Sequence, residues 1–320
     1  MKKVLILLGP TCVGKTGIAI LLARELNTEI ISADSMQIFR HMDIGTAKPS
    51  KKEREMVKHH MIDIVDPWES YSTGKYIRAV TPVLEGLHRK GKLPVVTGGT
   101  GLYIKAMTRG IFRGPSADWD LREEFLSMEH EKKGSLYVYL KDLDPEAAGR
   151  ITPNDTRRII RALEVILRSD TIMSDMQKKY TLPLPYDFVK IGLTRERKEL
   201  YRMIEERVDA MQNEGLVHEV KKVIGMVNGH FENLSCPSLP LAPCSSMQAI
   251  GYKETAQYLS GEIPLEEAIR LIKRGTKRYA KRQFTWFRKE EGIRWIDVTG
   301  IQDSAEIFSR VYEIVNTLLR

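Results

Sequence analysis

Over the first third of the chain, short unbroken apolar runs alternate with longer amphipathic stretches. Val4–Leu8, Glu29–Ser32 and Leu93–Thr97 have strand length, and Thr73–Arg89, between the last two, has helical spacing. Each run ends in polar or glycine-rich residues: Gly9 to Thr16, Ala33-Asp34-Ser35, and Gly98-Gly99-Thr100-Gly101. Continuous apolar strands joined by helices predict a parallel sheet covered on both faces, with functional loops converging at the carboxyl ends of the strands. Phe188–Leu193 and Ile293–Val298 read as further strands, and Arg197–Asn213 and Val217–Val227 as helices. Asn228–Ser246, with Pro237, Pro240 and Pro243, reads as a loop; the rest is helical up to Gly292 and again at the C-terminus.

The pattern changes between about Gly110 and Leu184. Prolines 115, 145, 153, 183 and 185 punctuate helical segments at Asp120–Lys133, Asp144–Gly149 and Asp155–Arg168, and only Tyr137–Leu140 reads as strand. The expected architecture is α/β in two domains. Residues 1–110 with 186–320 form the core, and 111–185 a mostly helical insertion.

Composition narrows the class. A chain of 320 residues, 42% hydrophobic and 29% charged, has ample length for a large core. No stretch approaches the ~20 apolar residues of a membrane span, and Val4–Leu8 is too short for a signal peptide. Cys12, Cys236 and Cys244 include no C-x-x-C pair, so neither a zinc site nor a disulfide framework is indicated, and a reducing cytoplasm fits. His59-His60 lacks metal-ligand spacing. A net charge of +8 points to a polyanionic partner.

The first apolar run feeds Gly9-Pro10-Thr11-Cys12-Val13-Gly14-Lys15-Thr16 and then a helix over Gly17–Leu26. This is the G-x-x-x-x-G-K-T phosphate loop of a P-loop NTPase-like core. Its glycines permit the turn that aims backbone N–H groups at a di- or triphosphate, at the positive end of the helix dipole. Lys15 adds a point charge, and Thr16 a hydroxyl suited to Mg²⁺. Asp34, closing the next strand, fits three roles by position: a magnesium-holding acid, a general base, or a turn residue. The Gln37 amide can pair with an adenine edge, although taken alone it reads as a surface loop residue.

Charge concentrates near the C-terminus. Arg270, Lys273, Arg274, Lys277, Arg278, Lys281 and Arg282 fall within half the circumference of one helix at ~100° per residue. Asp and Glu are absent from Leu271 to Lys289, so no i,i+4 partner neutralises this face. With Phe284 among the cations, it suits a phosphodiester backbone and an unstacked base. Arg157, Arg158, Arg161 and Arg168 make a smaller group, with Glu164 placed for an internal salt bridge. Arg207, among Glu205, Glu206 and Asp209, reads locally as a surface ion pair.

These residues resemble the tRNA dimethylallyltransferases, prenyl transferases acting on adenosine 37 beside the anticodon. The matching segments are Gly9–Thr16, Ser32–Gln37, Asp43–Pro49, His59–Pro67, Gly98–Tyr103, Asn154–Val165, Arg207–Met211, Met247–Glu254 and Lys281–Arg288. Asp-Ile-Gly-Thr-Ala-Lys-Pro, Gly-Gly-Thr-Gly-Leu-Tyr and Lys-Arg-Gln-x-Thr-Trp-Phe-Arg in this order are close to diagnostic. The likeness is to bacterial members of this length, without a zinc-finger extension.

The resemblance implies that Gly9–Thr16 hold the diphosphate of dimethylallyl diphosphate, with Mg²⁺ at Thr16. It implies transfer to N6 of adenosine 37 in tRNAs reading codons that begin with U. Asp34 becomes the general base, and Thr11, Lys15 and Arg207 stabilise the leaving diphosphate. The implied RNA contacts are Asp34, Ser35, Met36, Gln37, Thr100, Arg157, Arg158, Arg161, Gln248, Lys253, Lys277, Lys281, Arg282, Gln283, Phe284 and Arg288. The insertion would grip the anticodon stem, and the enzyme would be a cytoplasmic monomer. Phe39 stands where the family usually has Tyr, His41 where a small residue is usual, Lys58 where Pro is usual, and Gln248 where some members have Arg. The rival readings are a nucleotide kinase or NTPase, which leaves the basic helix unexplained, and a non-catalytic tRNA-binding protein with a relic phosphate loop.

Overall fold

β1 (Lys3–Leu8) is buried from Val4 to Leu8, as an unbroken apolar run requires when both faces of a sheet are covered. The computed structural model describes residues 1–112, 114–169, 171–233 and 244–319. Strands β2 (Ile30–Ser32), β3 (His59–His60), β4 (Val95–Gly98), β5 (Asp187–Thr194) and β6 (Ile293–Asp297) join β1 in a parallel sheet of order β3-β2-β4-β1-β5-β6. The chain leaves β1 toward β2 on one side and later returns to β5 on the other. That reversal opens a crevice at the carboxyl end of β1.

Helices α1 (Lys15–Glu25), α2 (Lys51–Met56), α3 (Thr73–Arg89) and α4 (Gly101–Thr108) link the early strands. α5 (Trp119–Glu131), α6 (Ser135–Leu143), α7 (Pro145–Arg150), α8 (Thr156–Ser169) and α9 (Met173–Tyr180) follow. After β5 come α10 (Arg197–Asn213), α11 (Leu216–Asn233), α12 (Tyr252–Leu259), α13 (Leu265–Phe287) and, after β6, α14 (Ser304–Leu319). Leu5 and Leu7 pack with Ile18 and Leu22 of α1, Leu200 and Ile204 of α10, and Val311 and Val315 of α14. Val4, Ile6 and Leu8 turn to the opposite face by the two-residue period of a strand, and are as fully buried. A second cluster gathers Phe39, Met42, Val220, Val223 and Tyr252 beside the sheet.

The chain divides into two compact units, Met1–Ile104 with Pro185–Arg320, and Lys105–Leu184. The second unit is helical around Phe125, Leu136, Leu140, Ile159 and Leu163. Its fully buried Glu164 accepts from the Asp118 amide at 2.8 Å and from Arg122 Nε and Nη2 at 2.8 and 2.9 Å, and pairs with Arg161.

Tyr137–Leu140 is helix, not strand. Leu136 and Leu140, four residues apart, are both buried, and that spacing overrides the β-prone Tyr-Val-Tyr sequence. α11 runs to Asn233, into the stretch expected to be loop; Cys236, Pro237, Pro240 and Pro243 lie outside the described residues. Among the described residues, no helix is long and apolar enough to cross a membrane.

Candidate active site

The loop between β1 and α1 takes left-handed backbone angles at Cys12 (φ 66°) and at Gly14 (φ 98°), which caps α1. Such alternation lets successive N–H groups face one anion. Above it opens a cleft of about 200 Å³ lined by Thr11, Cys12, Gly14, Lys15, Thr16, Asp34, Gln37 and Arg207, with Tyr279 and Gln283 from α13. Gly9, Pro10 and Val13 are buried beneath, and the Pro10 carbonyl accepts from Lys15 Nζ at 2.6 Å. Burial, with Arg207 nearby, lowers the Lys15 ammonium to about 8 against the pull of Asp34 and Cys12.

Asp34 enters the cleft from the end of β2. Its Oδ1 accepts from the amides of Met36 (2.8 Å) and Gln37 (3.3 Å). Burial pushes its carboxyl above the usual range, and those amides and Lys15 only partly offset this. Thr100, after β4, accepts from the Ser35 amide at 2.9 Å and so steadies the residue beside Asp34. Ser35, Met36, Gln248 and Arg282 line an adjoining hollow of about 270 Å³ that shares Thr11, Asp34, Arg207 and Tyr279 with the cleft.

Arg207 is not spent on its sequence neighbours. Glu205 pairs with Lys277, Glu206 with Arg202 and Asp209 with Lys273, which leaves the half-buried guanidinium to the cleft. The same pairs overturn the expectation of an uncompensated basic face: acids of α10 neutralise Lys273 and Lys277 across the helix–helix contact. Arg278, Lys281, Arg282 and Arg288 stay exposed, without an ion pair among the described residues. Lys253 is exposed on α12.

Two α13 residues expected at an RNA surface point inward instead. Gln283 is buried, accepting from the Thr11 amide and donating to the Gly99 carbonyl, both at 2.9 Å. Phe284, four residues after the core residue Ala280, packs against the main cluster. Gln37 is engaged as well: its Oε1 accepts from Ser32 Oγ at 3.0 Å, and its Nε2 reaches the carbonyls of Thr46 (3.4 Å) and Ala47 (3.2 Å). In the second unit, Arg157 and Arg158 are exposed on α8, Arg158 paired with Asp155, while Arg161 and Arg168 pair with Glu164 and Asp118.

Tyr279 carried no local signal of its own. Burial and the Asp34 charge raise its hydroxyl far above the ordinary range, so it remains a donor beside Asp34.

Comparisons with known proteins identify the family. A family model described as IPP transferase matches residues 37–290. The tRNA dimethylallyltransferase of Thermodesulfovibrio yellowstonii is 52% identical over 99% of both chains. The crystal structure of the tRNA isopentenylpyrophosphate transferase of Bacillus halodurans, 41% identical, covers 99% of this chain and 96% of its own with a TM-score of 0.71. A eukaryotic dimethylallyltransferase solved while acting on tRNA, 29% identical, covers 100% of this chain and 80% of its own, with a TM-score of 0.80. By a match spanning most of its length and a relative identical at half its positions, the chain belongs to the IPP transferase family, the tRNA dimethylallyltransferases.

Proposed function

We propose that this protein transfers the dimethylallyl group of dimethylallyl diphosphate to N6 of adenosine 37 in tRNAs reading codons that begin with U. Its relatives carry the name of that activity. The observation that carries the reading is the meeting of Asp34 with Lys15 and Arg207 in one cleft. The adenine N6 lone pair is delocalised into the ring, so N6 must lose a proton as its bond to the allylic C1 forms. The C1–O bond breaks, its electrons leave on the diphosphate, and the Asp34 carboxylate takes the proton. Its raised pKa makes that carboxylate a stronger base than an exposed one.

Negative charge grows on the leaving oxygen. Lys15, Arg207, the loop amides and the Thr11 hydroxyl stabilise it. Among the described residues no group of three His, Cys, Asp or Glu could hold a metal alone. The Thr16 hydroxyl in the cleft still suits Mg²⁺, which takes few protein ligands and completes its shell with phosphate oxygens and water. Bound there, Mg²⁺ would neutralise diphosphate charge.

The acceptor adenosine must leave its stack, which costs less in a single-stranded anticodon loop than in a duplex. The hollow walled by Ser35, Met36, Gln248 and Arg282 is its entry, with Lys253, Lys281 and Arg288 outside for phosphates. Thr100 acts through Ser35, Lys277 contributes weakly from its pair with Glu205, and Gln283 and Phe284 serve from inside α13. Arg157 and Arg158, with Arg161 behind them, grip the anticodon stem. Phosphate loop, base and arginine come from one chain, so a monomer suffices, and a tRNA substrate fits a reaction in the cytoplasm.

The test is incubation with unmodified tRNA, Mg²⁺ and radiolabelled dimethylallyl diphosphate, with ATP in a parallel tube. Label is expected in the tRNA, at the adenosine beside the anticodon. ATP hydrolysis without label would make the protein a nucleotide enzyme instead.

A further inference from the structure

Glu219 lies on α11, outside the cleft, and the chemistry above does not use it. Its carboxylate is saturated. Oε2 accepts from the amides of Asp43 (2.9 Å) and Ile44 (2.8 Å), and Oε1 from the Gly45 amide (3.0 Å) and the Tyr252 hydroxyl (2.5 Å). Three successive backbone N–H groups thus close on an anion that the protein itself supplies. Gly45 is required there, because a Cβ would enter the Tyr252 ring. Lys48 ties down the other end of this loop. Its buried ammonium bonds the Phe39 carbonyl (2.6 Å), Asp43 (2.8 Å) and Asp63 (2.5 Å).

The far side of the loop faces the chemistry. Thr46 and Ala47 line the cleft, and their carbonyls hold Gln37, whose own amide, with that of Met36, holds Asp34. We infer that Glu219, assisted by Tyr252, is a positioning residue for the transfer reaction: it clamps residues 43–47 so that they fix Gln37 and, through it, the Asp34 carboxylate. The inference rests on Asp34 being the base. The apolar cluster of Phe39, Met42, Val220, Val223 and Tyr252 holds α11 and α12 in place independently of the carboxylate.

The experiment compares Glu219→Gln, Glu219→Asp and Tyr252→Phe in the full chain. It reads kcat, both KM values, the acid limb of the kcat–pH profile and thermal stability. A carboxamide offers one acceptor oxygen and turns an NH₂ toward the loop amides. Glu219→Gln is expected to lower kcat by on the order of 10–100-fold, the effect of misplacing a catalytic group. The diphosphate KM should stay within about threefold, because the phosphate loop has its own tethers in Gln283 and Pro10.

The acid limb should move to higher pH. Weaker amide bonds to Asp34 favour its protonated form, with Lys15 from α1 and the protonated Tyr103 and Tyr279 still facing it. Glu219→Asp should recover part of the loss, and Tyr252→Phe, which leaves the three amides bonded, should cost least. If Glu219→Gln does not fold, Glu219→Asp and Tyr252→Phe carry the same readouts. A kcat that falls only with the folded fraction, with the acid limb unmoved, overturns the clamp. Full turnover in Asp34→Asn would instead remove the base itself, so the two readings fail separately.

Discussion

Asp34 and Glu164, in different units of the protein, sit among partners that do opposite things to a carboxylate. Asp34 in the α/β core is pushed up by burial, and two amides and Lys15 pull it back too little. Burial opposes ionisation of Glu164 in the helical unit as well, but Arg122, the Asp118 amide and Arg161 outweigh it and hold the carboxyl below the usual range. The carboxylate proposed to accept a proton is left short of partners. A group that must tie α5 to α8 is saturated. The contrast separates chemistry from architecture better than burial does.

The largest effect should come from Asp34→Ala. Turnover should drop by ~10²–10⁴, the usual loss for a general base, while tRNA affinity changes little. Thermal stability should hold or rise, since an ill-satisfied buried charge is gone. A loss of stability matching the loss of turnover would erase the contrast.

Glu164→Gln should do the reverse. It strands two guanidinium groups and should cost about 2–4 kcal/mol in denaturant unfolding, discounted because both arginines are partly exposed. With its folded pKa depressed, Glu164 contributes stability above its unfolded pKa, which is lost as pH falls through the folded one. The wild type should lose this contribution in acid below about pH 4, and Glu164→Gln should not.

Lys15 extends the comparison to cations. Held near 8 in the free enzyme, it sheds its proton as pH rises. Diphosphate affinity by calorimetry should fall above that pH, approaching about tenfold per pH unit. A flat profile to pH 10 would mean that Lys15 is not the principal charge.

The smallest effect separates the cations of α13. Lys281→Ala with Arg282→Ala should lower the salt slope of tRNA binding by about 0.7 per lost phosphate contact, as for a single strand. Lys277→Ala should lower it by less, since Glu205 already holds that ammonium. Equal slopes would return Lys277 to the RNA.

What the sequence revealed was local. A contiguous loop and uninterrupted apolar runs marked β1, the phosphate loop and the position of Asp34, and the bounds of α3 and α10 coincide with their expected limits. β3 escaped because it consists of two polar histidines at a sheet edge. What stayed hidden lies between distant residues. The partners of Lys273 and Lys277 stand 64 and 72 residues away, and the three loop amides on Glu219 about 175. Helical spacing sets Gln283 on the side of Ile272, away from the cations, but no local pattern records that it bonds the Thr11 amide or that the acids beside Arg207 face other cations.

The placing of β1 also has a consequence for synthesis. It is made before the other strands, yet its neighbours pair with it at Val95 and Asp187. The strand that carries the phosphate loop therefore keeps one edge open until most of the chain has left the ribosome. Pairings so distant in sequence form slowly. The Thr11 amide waits longer still, since Gln283 follows it by 272 residues. The loop that follows the first strand is among the last parts of the molecule to be finished.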